Sequence, residues 1–193
     1  VKVNTSSENY VAWCWKANGT GSANAVGSIT TTATSANTTA GFSIVTNTGT
    51  GSSATIGHGL GKVPTVIITK KRSSTSAPMV YNVHNGNNYE LYMDRQNGSS
   101  AAANTWASTT PTSTVWSVAT DDNNASSQTY ISYVFTDIQG YSKFGVYKGN
   151  GNADGAFVYT GFKPAFLIAK LTSGGGQNWF MFDNKRNTFN VMD

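Results

Sequence analysis

The chain has 193 residues and carries 21 Ser, 26 Thr, 20 Asn and 20 Gly but only four Leu and two Glu. Leu, Glu, Lys and Gln fill helix faces, whereas Thr and Val suit pleated strands and Asn, Ser and Gly supply turns, so a mainly helical protein is excluded and a nearly all-β chain is predicted. Charged residues are 11% of the chain with a net charge of +4, and 38% of it is hydrophobic, enough for a core and too sparse in charge for a groove that tracks phosphates.

In chain order, a strand-like run at Tyr10–Lys16 contains the lone cysteine, Cys14, between Trp13 and Trp15. Strand alternation puts both indoles on one face and a buried thiol on the other, and a single cysteine excludes an intrachain disulfide. The stretch from Ala17 to Ala40 is rich in Thr, Ser, Gly and Ala and reads as a polar insertion: a loop, a linker, or a hairpin around Ser28–Thr32. Strands are then predicted at Gly41–Thr48, Val63–Lys70, Met79–Val83, Tyr89–Asp94, Thr114–Ala119, Tyr130–Ile138, Lys143–Lys148, Ala156–Thr160, Lys163–Leu171 and Asn178–Asp183. Tyr130–Ile138 and Val63–Lys70 have apolar residues at both parities, as in strands buried on both faces. Asn85-Gly86, Asn97-Gly98 and Asp154-Gly155 mark turns. Strands at this density predict an antiparallel β-sandwich, jelly-roll-like. Lys70-Lys71-Arg72 reads as a solvated strand end, and neither a nucleic-acid partner nor an apolar run of about 18 residues that would insert in a membrane is expected.

Several stretches recur in the same order. Asn4 to Trp15 matches Asn124 to Phe135 at a shift of 120 without a gap, Tyr10, Trp13 and Trp15 facing Tyr130, Tyr133 and Phe135. Gly41-Phe42-Ser43 matches Gly140-Tyr141-Ser142, Gly49-Thr50-Gly51 matches Gly149-Asn150-Gly151, and Gly61 to Lys70 matches Gly161 to Lys170 at a shift of 100. Met79 to Asn82 parallels Phe180 to Asp183. Two related repeat units follow: residues 1–123, with the polar insertion at 17–40, and residues 124–193, which stop before any counterpart of Tyr89 to Ala119. Such a chain is expected to be a window from a longer repeat array.

The strings Gly140-Tyr141-Ser142-Lys143-Phe144-Gly145, Gly149 to Gly155 and Phe157 to Phe166, together with Tyr10 to Lys16 and Gly57-His58-Gly59-Leu60-Gly61, resemble a repeated domain of uncharacterised function found in tail-fibre and other virion proteins of marine phages. The resemblance covers nearly the whole chain, departing from the family around Ser73 to Pro78. It implies a structural component at the surface of a phage particle, part of a tail fibre, spike or head-attached fibre. Its partners would be other virion subunits, as a homo-oligomer such as a trimer, and a host surface glycan. No catalytic residues are carried over by the resemblance. The alternative reading is a lectin-like carbohydrate-binding module, with a fragment of an extracellular hydrolase as a third.

Chemistry is sparse. His58, in a Gly57-His58-Gly59 turn, and His84, at a hairpin shoulder, lack a nominated nucleophile and orienting carboxylate, so no catalytic residues are expected. Asp94, Asp121, Asp122 and Asp154 sit in turn contexts and do not announce the paired acids of glycoside hydrolysis. Asn150 to Gly155 and Asp121 to Asn124 are oxygen-rich but poor in carboxylates, reading as turns and not as calcium loops; neither a metal nor a cofactor is expected. Trp13, Trp15 and Trp179 have large apolar repeat counterparts and are expected in the core. Trp106 and Trp116, in a Thr- and Ser-rich stretch without a counterpart, are the candidate glycan-stacking platforms.

Overall fold

A computed structural model describes residues 5–8, 10, 12–119 and 122–185; Asn4, Asn9, Val11, Asp121 and everything beyond Lys185 lie outside the described residues. Among the described residues there is no helix. The described residues form eleven strands: β1 Ala33–Asn37, β2 Phe42–Thr48, β3 Ala54–Gly57, β4 Val66–Lys71, β5 Met79–Asn82, β6 Tyr89–Tyr92, β7 Ser100–Ala101, β8 Val115–Val118, β9 Thr129–Phe135, β10 Phe166–Ala169 and β11 Phe180–Asp183. Seven of them make one antiparallel sheet in the order β1-β2-β9-β4-β5-β6-β7, with β3-β8 and β10-β11 as separate two-stranded ribbons. The all-β class expected from composition is therefore observed.

The sheet is organised around β9, hydrogen-bonded on one side to β2, with Ser43 opposite Val134, and on the other to β4, with Ile67 opposite Val134. Both parities of β9 and β4 are apolar because both faces are covered. On one face Val45, Ile67, Met79, Tyr81 and Val134 pack against Ile56, Trp116 and Val118 of the β3-β8 ribbon, with Ile29, Leu60 and Trp106 filling the margin. On the other, Val66, Val80 and Leu91 are covered by Phe135, Phe144 and Trp179. Each buried aliphatic side chain contributes roughly 1.5–3 kcal/mol, so the double-sided centre carries most of the stability.

Close packing explains one glycine. A Cβ on Gly49 would lie 2.3 Å from the Ala125 carbonyl oxygen, in the turn that launches β9, and 3.0 Å from the ring of Tyr130 on β9 itself.

Several expectations are corrected. Lys143–Lys148 and Ala156–Thr160 form no strand, and apart from the half-buried Phe144 and Thr160 they are exposed. Their apolar residues signal readiness for burial, but no neighbouring strand among the described residues pairs with them. The polar insertion forms β1 rather than a hairpin at Ser28–Thr32, which makes only a parallel bridge from Ile29 to Ile56. Residues 12–16 carry no strand, Cys14 is exposed, and Trp15 is largely exposed, its ring against Phe135 and Phe166 rather than inside a core. Lys71 is buried rather than solvated, its Nζ donating to Asp122 Oδ1 at 2.9 Å.

Candidate functional site

Trp106 and Trp116, the candidate stacking platforms, both lie in the core at 1% exposure. Trp116 is on β8, whose buried face looks into the sheet. Trp106 sits within an irregular turn at 103–108 that folds back on β5 and β6: its Nε1 donates to the Tyr89 carbonyl at 3.1 Å and its ring meets Tyr81 edge-on at 5.6 Å. An indole so enclosed has no face for a pyranose, so neither residue is available for stacking; the Thr- and Ser-rich surroundings that pointed to the surface are its own turn.

The histidines behave differently from one another. His58 is fully buried; its Nδ1 accepts from the Leu60 N–H at 3.2 Å, which leaves the Nε2 hydrogen to the Thr112 carbonyl at 3.2 Å. Burial holds its pKa below the ordinary 6.5, against a smaller upward pull from the Thr112 carbonyl. A neutral imidazole with both nitrogens engaged is a structural cross-tie between the Gly57-His58-Gly59 turn and the 112–114 loop. His84 is exposed, with Nε2 3.3 Å from the Phe144 carbonyl.

Acids are also spoken for. Glu90 accepts from Tyr92 Oη at 2.5 Å and from Thr105 Oγ1 at 2.7 Å. Burial, then the Glu90 contact, pushes the Tyr92 phenol up to about 12, so it remains a proton donor; Arg95 lies over its ring at 3.9 Å. Asp94 and Asp154 are exposed. In the oxygen-rich loop the side-chain oxygens of Asn150 and Asn152 accept backbone N–H groups from Asn152 and Asp154 at 3.1 Å, which is turn chemistry. Among the described residues, no three His, Cys, Asp or Glu side chains come together as a metal would require.

What the sequence reading missed is an aromatic surface. Tyr147, Phe157 and Tyr159, with Val146 and Val158, line an open cleft of about 470 Å³ together with His84, Asp137 and Lys143. Phe157 is 89% exposed and Tyr159 72%. Asp137 is fixed at the cleft floor by Thr65 Oγ1 at 3.2 Å and the Phe144 N–H at 3.1 Å. A contiguous run of large apolar side chains in water marks an interaction surface. The sequence offered only the run Phe157-Val158-Tyr159, and a buried strand would read the same way.

No curated protein and no solved structure matches the chain. One family model does, over residues 1–193, and the chain therefore belongs to the family described as a domain of unknown function, DUF7483.

Proposed function

We propose that the chain is a non-enzymatic structural module of a phage virion, part of a tail fibre, spike or head-attached fibre, and that it joins neighbouring subunits through the Tyr147-Phe157-Tyr159 surface. The observation that carries the assembly reading is the exposure of Phe157 and Tyr159 beside Val146 and Val158: leaving such rings in water forgoes roughly 1.5–3 kcal/mol for each large apolar side chain, a cost that contact with another subunit removes. The phage assignment is supported by the resemblance of Gly140–Gly145 and Phe157–Phe166 to strings of virion proteins. Side chains with the usual catalytic chemistry are tied into structural hydrogen bonds at His58 and Glu90, which favours a role in contact over one in turnover.

A second reading rests on the same cleft. Exposed aromatic rings flanked by His84, Asp137 and Lys143 combine stacking faces with hydrogen-bonding groups, the composition of a glycan site. Sedimentation equilibrium of the full chain, paired with a glycan array, separates the two. The assembly reading expects concentration-dependent self-association that disappears in Phe157→Ser/Tyr159→Ser. Array binding by a chain that remains monomeric, lost in the same double variant, would favour the glycan reading.

A further inference from the structure

The recurring strings are also recurring geometry. Before β9, Ser127 has φ 61°, Ala125 N–H donates to Tyr130 Oη at 2.8 Å, and Gln128 N–H donates to the Ala125 carbonyl at 3.2 Å. Near the N-terminus, Ser7 has φ 66°, Thr5 N–H donates to Tyr10 Oη at 2.9 Å, and Glu8 N–H donates to the Thr5 carbonyl at 3.3 Å. A non-glycine residue with positive φ is uncommon, and here it falls at matching places in two copies of one turn.

The hairpins agree as closely. In β4-β5, Val66 is opposite Asn82 and Thr69 opposite Met79; in β10-β11, Phe166 is opposite Asp183 and Ala169 opposite Phe180. Asn82 Oδ1 accepts from His84 N–H at 2.8 Å, and Asp183 Oδ1 from Lys185 N–H at 2.8 Å. Lys70 Nζ reaches the Ser76 carbonyl, and Lys170 Nζ the Gln177 carbonyl. So β10 corresponds to β4 and β11 to β5.

One partner differs. β4 is flanked by β5 and β9, whereas β10 is hydrogen-bonded to β11 alone among the described strands. The segment equivalent to β9 is the N-terminal one, and its rings are already at β10: Trp15 lies 5.6 Å and Trp13 5.4 Å from Phe166, centroid to centroid. In the complete sheet the counterparts of Trp15 and Phe166, namely Phe135 and Val66, are directly opposite one another. An open strand edge with unpaired N–H and C=O groups is a template for such addition.

We propose that residues 12–16 of the same chain complete the second unit as its central strand, pairing antiparallel with β10 so that Trp15 faces Phe166, Cys14 faces Leu167 and Trp13 faces Ile168. The repeat then closes through a contact between distant parts of the chain: the described residues between 17 and 136 form one unit, and residues 12–16 with residues 137–185 form the other. The inference rests on strand correspondence alone and stands or falls independently of the virion reading.

The lone thiol supplies the test. Arg72 N–H donates to the Thr129 carbonyl, and these two are opposite one another, so alternation along the β4-β9 ladder makes Ile67–Val134 a non-hydrogen-bonded pair, the type with the closest side chains. Cys14 and Leu167 inherit that position. In the full chain, Leu167→Cys treated with oxidised glutathione should form an intramolecular disulfide with Cys14 roughly tenfold faster than Ile168→Cys, whose side chain leaves the opposite face. Equal rates, or a disulfide formed only between chains, would overturn the proposal. Amide exchange on the unmodified chain needs no variant: the Trp13 and Trp15 amides, equivalent to those of Tyr133 and Phe135 that face β4, should be protected, and exchange at the rate of free peptide would refute the strand.

Discussion

Trp106→Ala should lower the unfolding free energy by about 4 kcal/mol. Truncating a buried Trp costs about 3–5 kcal/mol through lost transfer energy and the cavity left behind. That range includes the edge-on contact with Tyr81 at 5.6 Å and the hydrogen bond to the Tyr89 carbonyl at 3.1 Å, the latter worth about 1 kcal/mol net. Trp106→Phe separates the hydrogen bond from the ring. It should cost about 1 kcal/mol more than Trp116→Phe, because Trp116 Nε1, though buried, has no partner among the described residues. Urea denaturation followed by far-ultraviolet circular dichroism, read as midpoint and slope, measures all three. A loss within about 0.5 kcal/mol for Trp106→Ala, the range of ordinary surface substitutions, would refute the enclosed position and restore the indole as a candidate for surface stacking.

The remaining predictions concern pH, backbone contact and the aromatic surface. His58 protonates less readily in the folded chain than its ordinary 6.5, so the unfolded chain binds more protons as pH falls through that value; stability should be full above about 6.5 and decline below it, and His58→Gln should flatten the decline in urea midpoints taken from pH 7.5 to 5. Gly49→Ala should destabilise by roughly 1–3 kcal/mol because the new methyl meets fixed backbone, whereas Gly149→Ala, with nothing within 4 Å, should stay within about 0.5 kcal/mol; thermal melts of the two variants decide it. Phe157→Ser/Tyr159→Ser should leave the unfolding midpoint nearly unchanged, since both rings are already exposed, while reducing association in sedimentation runs.

Where the fold was legible, the pattern and the partner were both in the chain. Phe42–Thr48 was predicted to within one residue, and Val66–Lys71 and Thr129–Phe135 were recognised because apolar residues at both parities require two covered faces. Residues 143–148 and 156–160 carry equally apolar strings, yet hydrophobicity records only that a residue gains from burial, not whether a neighbour is present to hydrogen-bond its backbone. Trp106 failed for the opposite reason. Its local sequence is that of a surface turn, and only the long-range return to Tyr81 and Tyr89 buries it. His58 was readable as a turn residue that hydrogen-bonds, because a Gly on each side permits the tight bend and Gly59 takes φ 73°. The aromatic cleft was not, since Thr65, the Val83-His84 pair and Asp137 join the 143–147 and 157–159 stretches only in the folded chain.

The central claim is that the surface around Phe157 and Tyr159 is where the chain meets another subunit. Hydrogen-exchange mass spectrometry of the full chain at rising protein concentration tests it directly. The account predicts that β2, β9 and β4 are slow at every concentration, while residues 144–159 exchange fast in dilute solution and gain protection as the chains associate. Protection of 144–159 that is already complete in the monomer, or fast exchange that persists when the chains have associated, would contradict it.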